Sequence, residues 1–212
     1  MQSLLTSESA LIRWTMRLGE LVLLNICFLV CCLPVITMGT AVSALYSVCF
    51  RFGTQREKGA VGSFFRAFRQ NLKQGIPLFL VTSVLTALAC WLTVLFLRTS
   101  GPAHYGFLPS PVLLLISCIL SGYAFPLLAL FDNSVAGTLK NALILGISYL
   151  PRSILVVAVN LLPLMVLLAD TVLFLRLSVF CVFLYFSGAA YVNTFVLKAV
   201  FAPFLPEEEE QP

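Results

Sequence analysis

Glu20 and Asp170 each interrupt a long apolar run, and Asn25, Asn160 and Asn193 lie deeper in such runs. A charge or amide removed from water needs a partner, so these are the positions where binding or transport chemistry would show itself. Arg176 follows Asp170 closely, and Glu20, Asp170 and Arg176 together could form an access site for a solute or ion. Capping at a membrane interface is the simpler role for the two carboxylates. Thr37 stands between Pro34 and Gly39 in 33–39, the one segment whose composition suits an unwound helix around a substrate, the alternative being a plain helix end. For the three amides the ordinary role is a hydrogen bond across a helix interface, worth about 0.6–2 kcal/mol.

Catalytic constellations are not expected. The single histidine, His104, sits in a Gly- and Pro-containing stretch, which supports neither a Ser-His-Asp triad nor a multi-histidine metal site. The seven cysteines (Cys27, Cys31, Cys32, Cys49, Cys90, Cys118 and Cys181) show no C-x-x-C spacing and read as small packing residues. Neither a phosphate-binding loop nor a dinucleotide glycine pattern is present, and Asp132 and Asp170 lie at the ends of apolar runs. The expectation is a protein that is not an enzyme and uses no cofactor or metal.

The elements that position these residues follow from composition. Of 212 residues, 60% are hydrophobic and 10% charged, with a mean hydropathy of +1.01. A soluble domain carries roughly 25% charged residues, so the solvent for most of this surface must be lipid. A hydrocarbon core about 30 Å thick needs ~20 helical residues. Runs of that length fall at 18–36, 76–97, 111–131, 153–175 and 177–197. Continuous apolar runs fit helices, because barrel strands would be shorter and would alternate in polarity. The predicted fold is all-α: a polytopic transmembrane helical bundle of five spans plus interfacial amphipathic helices. It forms a single membrane domain over 1–206, followed by an acidic tail at 207–212. The first run has the features of a retained span rather than a cleaved leader.

Two connectors read as amphipathic. In 63–74, Phe64, Phe65, Phe68 and Leu72 form an apolar stripe, with Arg66, Arg69, Gln70 and Lys73 opposite. Such a helix is expected to lie along the inner membrane surface, contacting anionic lipid or a partner protein. The connector 133–150 repeats the design more weakly through Lys140. At an offset of 74 residues, Val61 meets Val135, Phe65 meets Leu139, Arg66 meets Lys140 and Pro77 meets Pro151. Either a parallel internal repeat or a chance alignment of apolar sequence accounts for this. Lysine and arginine favour the cytoplasmic side of a membrane protein. Five passes with an outside N-terminus put nine of them inside and Arg13, Arg17, Arg98 and Arg176 outside, so the C-terminus is expected in the cytoplasm. The net charge of +4 is then explained by topology, and no nucleic acid is expected as a partner.

These residues resemble the YesL-like family of bacterial membrane proteins of unknown function. The resemblance rests on Leu18-Gly19-Glu20-Leu21 with Asn25, on Leu33-Pro34-Val35-Ile36-Thr37-Met38-Gly39 running into Ala44-Leu45-Tyr46, on 64–73, and on Leu139-Lys140-Asn141-Ala142. It implies a protein of the bacterial cytoplasmic membrane, often encoded beside sugar ABC transporters, and it brings no catalytic residues. The function it implies is that of an accessory or regulatory partner of carbohydrate uptake. The alternative is an independent small-molecule transporter or channel acting as an oligomer, with Asn25, Thr37 and Asn160 lining a path.

Overall fold

The computed structural model describes residues 2–52, 59–99, 105 and 108–204. Arg56, Lys58, His104 and the acidic tail lie outside the described residues. Eight α-helices account for nearly everything described: α1 (Gln2–Cys32), α2 (Met38–Arg51), α3 (Ala60–Arg98), α4 (Ser110–Leu130), α5 (Val135–Ser148), α6 (Leu150–Ala169), α7 (Thr171–Phe180) and α8 (Phe186–Phe201). A 3-10 turn (Val35–Thr37) precedes α2, and a five-residue π-helical stretch (Cys181–Tyr185) joins α7 to α8. Five helical segments are long and apolar enough to cross a membrane: Thr15–Cys32, Ala60–Arg98, Ser110–Leu130, Leu150–Ala169 and Val182–Phe204.

Local chemistry sets the boundaries. Prolines open α4 and α6, where a missing N–H costs nothing. Ser134 caps α5, its Oγ accepting from Gly137 N at 3.2 Å. Asp170 ends α6 and caps α7, its Oδ1 accepting from Val172 N (2.8 Å) and Leu173 N (3.1 Å).

The core is organised around α2, in which eleven of fourteen residues are buried. It runs antiparallel to α3. Asn71 Nδ2 donates to Ser43 Oγ at 2.9 Å, Gly75 lies against Thr40, and Gly39 fits between Phe79 and Phe125. A Cβ at Gly75 would sit 2.9 Å from Thr40 Cα, inside backbone that cannot yield. Gly75→Ala is therefore expected to destabilise the protein by about 1–3 kcal/mol, as overpacking does. Gly62, on the same helix with nothing within 4 Å of its Cβ position, serves as the control. Gly62→Ala should be neutral or stabilising through helix propensity. Thermal unfolding in detergent reads the difference, and equal melting of the two variants would remove the crossing from any stabilising role.

Helix α1 is antiparallel to α2, since the Arg17 guanidinium stacks over the Phe52 ring at 4.2 Å. At that same end Phe201 meets Phe50 and Phe131, each at 6.1 Å between centroids. Arg152 Nη1 donates to Ala199 O there at 3.1 Å. One end of the bundle thus gathers the Arg17 part of α1, the end of α2, the beginnings of α3 and α6, and the ends of α4 and α8. Arg98, Ser110 and Asp170 occupy the other end. In these directions α1 begins and α8 ends at the same end of the bundle, an arrangement that a count of five crossings alone does not give. That count takes 18–36 as one crossing and assigns nothing to 38–50. Helix α2, with only fourteen residues, is too short to read as a span, yet it carries the chain back.

The stretch 63–74 is helical as expected, but it is not a separate surface helix. It is the first part of α3, a single 39-residue helix about 58 Å long at 1.5 Å per residue that continues through Gly75 and Pro77. Phe64 is fully buried and Ala67 nearly so, which fixes this segment to the protein core, while Phe65, Arg66, Arg69 and Lys73 are exposed. In the counterpart segment the chain breaks at Tyr149, and α5 packs back along α4 with Gly146 against Ile119. Ser153 Oγ repairs that break, lying 2.7 Å from Gly146 O, 3.1 Å from Tyr149 O and 3.0 Å from Tyr123 OH. The offset pairs Pro77 with Pro151, but the helix is continuous at the first and newly begun at the second.

Candidate functional site

Two polar assemblies lie inside the bundle. The first joins α1 to the π-helical stretch. A π turn widens the helix by one residue and is a common mark of functional sites. Asn25 on α1 is fully buried; its Nδ2 donates to Val182 O at 2.6 Å and its Oδ1 accepts from Ser187 N at 2.8 Å. Those two backbone groups are five residues apart, the spacing of a π turn. A carboxamide presents one donor edge and one acceptor edge, so Asn25 completes the ladder as a peptide group would. Phe28 seals the contact against Phe186 at 5.3 Å.

The second assembly lies between α2, α6 and α8. Asn193, fully buried, donates from Nδ2 to Tyr46 OH (3.1 Å) and to Asn160 Oδ1 (2.9 Å), and its Oδ1 has no hydrogen-bond partner. Tyr185 OH donates to Val159 O nearby. Tyr46 and Asn160 also face a cavity of about 270 Å³ between α2, α3, α4 and α6. Thr86 and Ser121 add polar groups to its wall, and Phe125 and Leu161 are among its apolar residues.

The residues singled out in the sequence separate into distinct places. Glu20 pairs with Arg17 at 3.7 Å at one end of the bundle, whereas Asp170 caps α7 at the other. Arg176 lies exposed on α7, so Glu20, Asp170 and Arg176 do not meet. Thr37 Oγ1 lies 2.7 Å from both Cys31 O, near the end of α1, and Pro34 O, in the turn that follows. Asn25 is fully buried and Asn160 is exposed, and they belong to different assemblies. Tyr46 as a partner of Asn193, and Ser187 as a partner of Asn25, were not recognisable, because no span was assigned over 38–50 and Ser187 contributes a backbone amide rather than a side chain.

Charge is divided sharply along the bundle. Among the described residues, Arg13, Arg17, Arg51, Arg66, Arg69, Lys73, Lys140, Arg152 and Lys198 lie on the segments gathered at the Arg17 end, and Arg98 and Arg176 at the other. On the α3 extension, Phe65 lies exposed among Arg66, Arg69 and Lys73, and Lys140 is exposed on α5.

Residues 21–94 match the model of a family described as a protein of unknown function, DUF624. The matched segment holds Asn25, Thr37, Tyr46 and the crossing of α2 with α3, and overlaps the first motifs of the YesL-like resemblance. No curated protein and no solved structure matches the chain.

Proposed function

We propose that this is a non-catalytic protein of the bacterial cytoplasmic membrane, an accessory or regulatory partner of a carbohydrate uptake system of the ABC type, with its basic end in the cytoplasm. The observation that carries this reading is the α3 extension. Its Phe64 side is locked into the core, so the exposed Phe65, Arg66, Arg69 and Lys73 form a preformed basic surface. A preformed surface binds without the cost of ordering a loop. The carbohydrate part rests on the family resemblance, and sugar ABC transporter membrane subunits are the partners it suggests.

The double variant Arg66→Glu with Arg69→Glu is expected to lose at least about tenfold of the permease subunits recovered by affinity purification from native membranes, the equivalent of ~1.4 kcal/mol. Membrane insertion and monodisperse elution should be unchanged, because both side chains are exposed. Undiminished recovery, or no permease with the wild-type protein, would overturn the reading. One observation favours the alternative of an oligomeric small-molecule transporter: the cavity beside Asn160 and Tyr46. Saturable solute flux by the purified protein alone in liposomes, unaffected by the two charge reversals, would establish that alternative.

A further inference from the structure

The composition of the cavity between α2, α3, α4 and α6 selects among ligand classes. None of the residues lining it carries a formal charge. An ion or phosphate there would lose its hydration without a counter-charge, a cost of several kcal/mol. A wholly apolar occupant fits badly for the opposite reason. Asn160 lies midway along the twenty-residue α6, is exposed, and faces the cavity beside the buried hydroxyl of Tyr46. Their neighbour Asn193 keeps an unpartnered, fully buried Oδ1. Hydrocarbon against Asn160 and Tyr46 would forfeit hydrogen bonds that a hydroxyl can make.

Size narrows the class further. A volume of about 270 Å³ is below the 300–1,000 Å³ typical of sites that enclose a whole drug-sized ligand. It is also far more than one ordered water needs, at ~30 Å³ each in the liquid. One end of an elongated molecule fits both limits.

We propose that the cavity binds the hydroxyl end of an uncharged, hydroxyl-bearing amphiphile. The hydroxyl sits at Asn160 and Tyr46, and the adjoining alkyl portion lies against Phe125 and Leu161. A membrane glycerolipid with a free hydroxyl and a free long-chain alcohol share this chemistry. Mass spectrometry of molecules co-purifying from native membranes tells the two sources apart. This inference does not depend on the accessory reading, since its test needs no partner.

The test uses the full chain in liposomes with three photoreactive probes of equal length: a dodecanol, a dodecane and a dodecyl phosphate, each carrying a diazirine. The dodecanol is expected to label the α4 and α6 segments around Phe125 and Leu161, and the dodecane only the outer faces of the helices. Asn160→Leu should lower cavity labelling by dodecanol about five- to tenfold, the loss of one hydrogen bond. Ser121→Phe, which fills the cavity and leaves Asn160 in place, should abolish it. The second variant keeps the test decisive if Asn160→Leu fails to elute as a single species. Equal cavity labelling by dodecanol and dodecane, preferential labelling by the phosphate, or dodecanol labelling that survives Ser121→Phe would each overturn the proposal.

Discussion

Reporters fused ahead of Met1 and behind Pro212 are both expected to report the cytoplasm. Helix α2 returns the chain to the end where α1 starts, and α8 finishes at that end beside Phe50 and Phe131. Nine of the lysines and arginines in the described residues lie on segments at this end and two at the other. The cytoplasmic bias of basic residues is the strongest single determinant of orientation. Counting α2 as a leg thus sharpens the charge asymmetry that five passes alone would give, and on the same bias both termini are expected inside. The effect is all-or-none: a fluorescent cytoplasmic reporter should be bright at both ends, and a phosphatase that works only outside should be silent at both. Phosphatase activity at either end would refute the arrangement. A fusion in the segment 101–104, between α3 and α4, should give the opposite pattern in the same cells.

Asn25→Leu is expected to cost about 2 kcal/mol and to lower the melting point in detergent by roughly 4–8 °C for a chain of this size. The substitution leaves Val182 O and Ser187 N without the carboxamide that serves both. Two unsatisfied buried groups would cost up to about 6 kcal/mol. The helix can recover part of that by bonding the two groups to each other, and interhelical hydrogen bonds in membrane proteins average nearer 0.6 kcal/mol. The intermediate figure follows from those limits. Ile26→Leu, one residue along on the exposed face of α1, should melt with the wild type. If Asn25→Leu also melts within a degree of the wild type, the contact contributes little to folding.

Much of this fold was legible in the sequence, and for a physical reason. A bilayer demands about twenty apolar residues per crossing, so Ser110–Leu130 and Leu150–Ala169 announce themselves by length. Helix α2 does not. It is buried by protein on nearly every side, and its small residues, Gly39, Thr40, Ser43, Ala44 and Ser47, suit close packing without forming a long apolar run. Asn25, Asn160 and Asn193 were recognisable as amides within spans, because an amide in an apolar run is conspicuous. The partners of Asn25 were not, since a backbone carbonyl at Val182 and a backbone amide at Ser187 have no signature in sequence. The amphipathic stripe at 64–72 was real but divided: Phe64 turns into the core and Phe65 out of it, a distinction set by which neighbours α3 has.

The unbroken length of α3 gives it the mechanics of a lever. Thr86, on the cavity wall, and Arg66, on the basic surface, lie on one helix twenty residues apart, about 30 Å at 1.5 Å per residue. If α3 tilts as a rigid body about its close contact with Thr40 at Gly75, the cavity wall and the basic surface move in opposite directions. A tilt of roughly 10° about Gly75 would move Arg66 by about 2 Å and Thr86 by about 3 Å in opposite directions, from the nine and eleven residues that separate them from the pivot. Two α-helices joined by a loop would absorb such a motion, whereas one continuous helix transmits it.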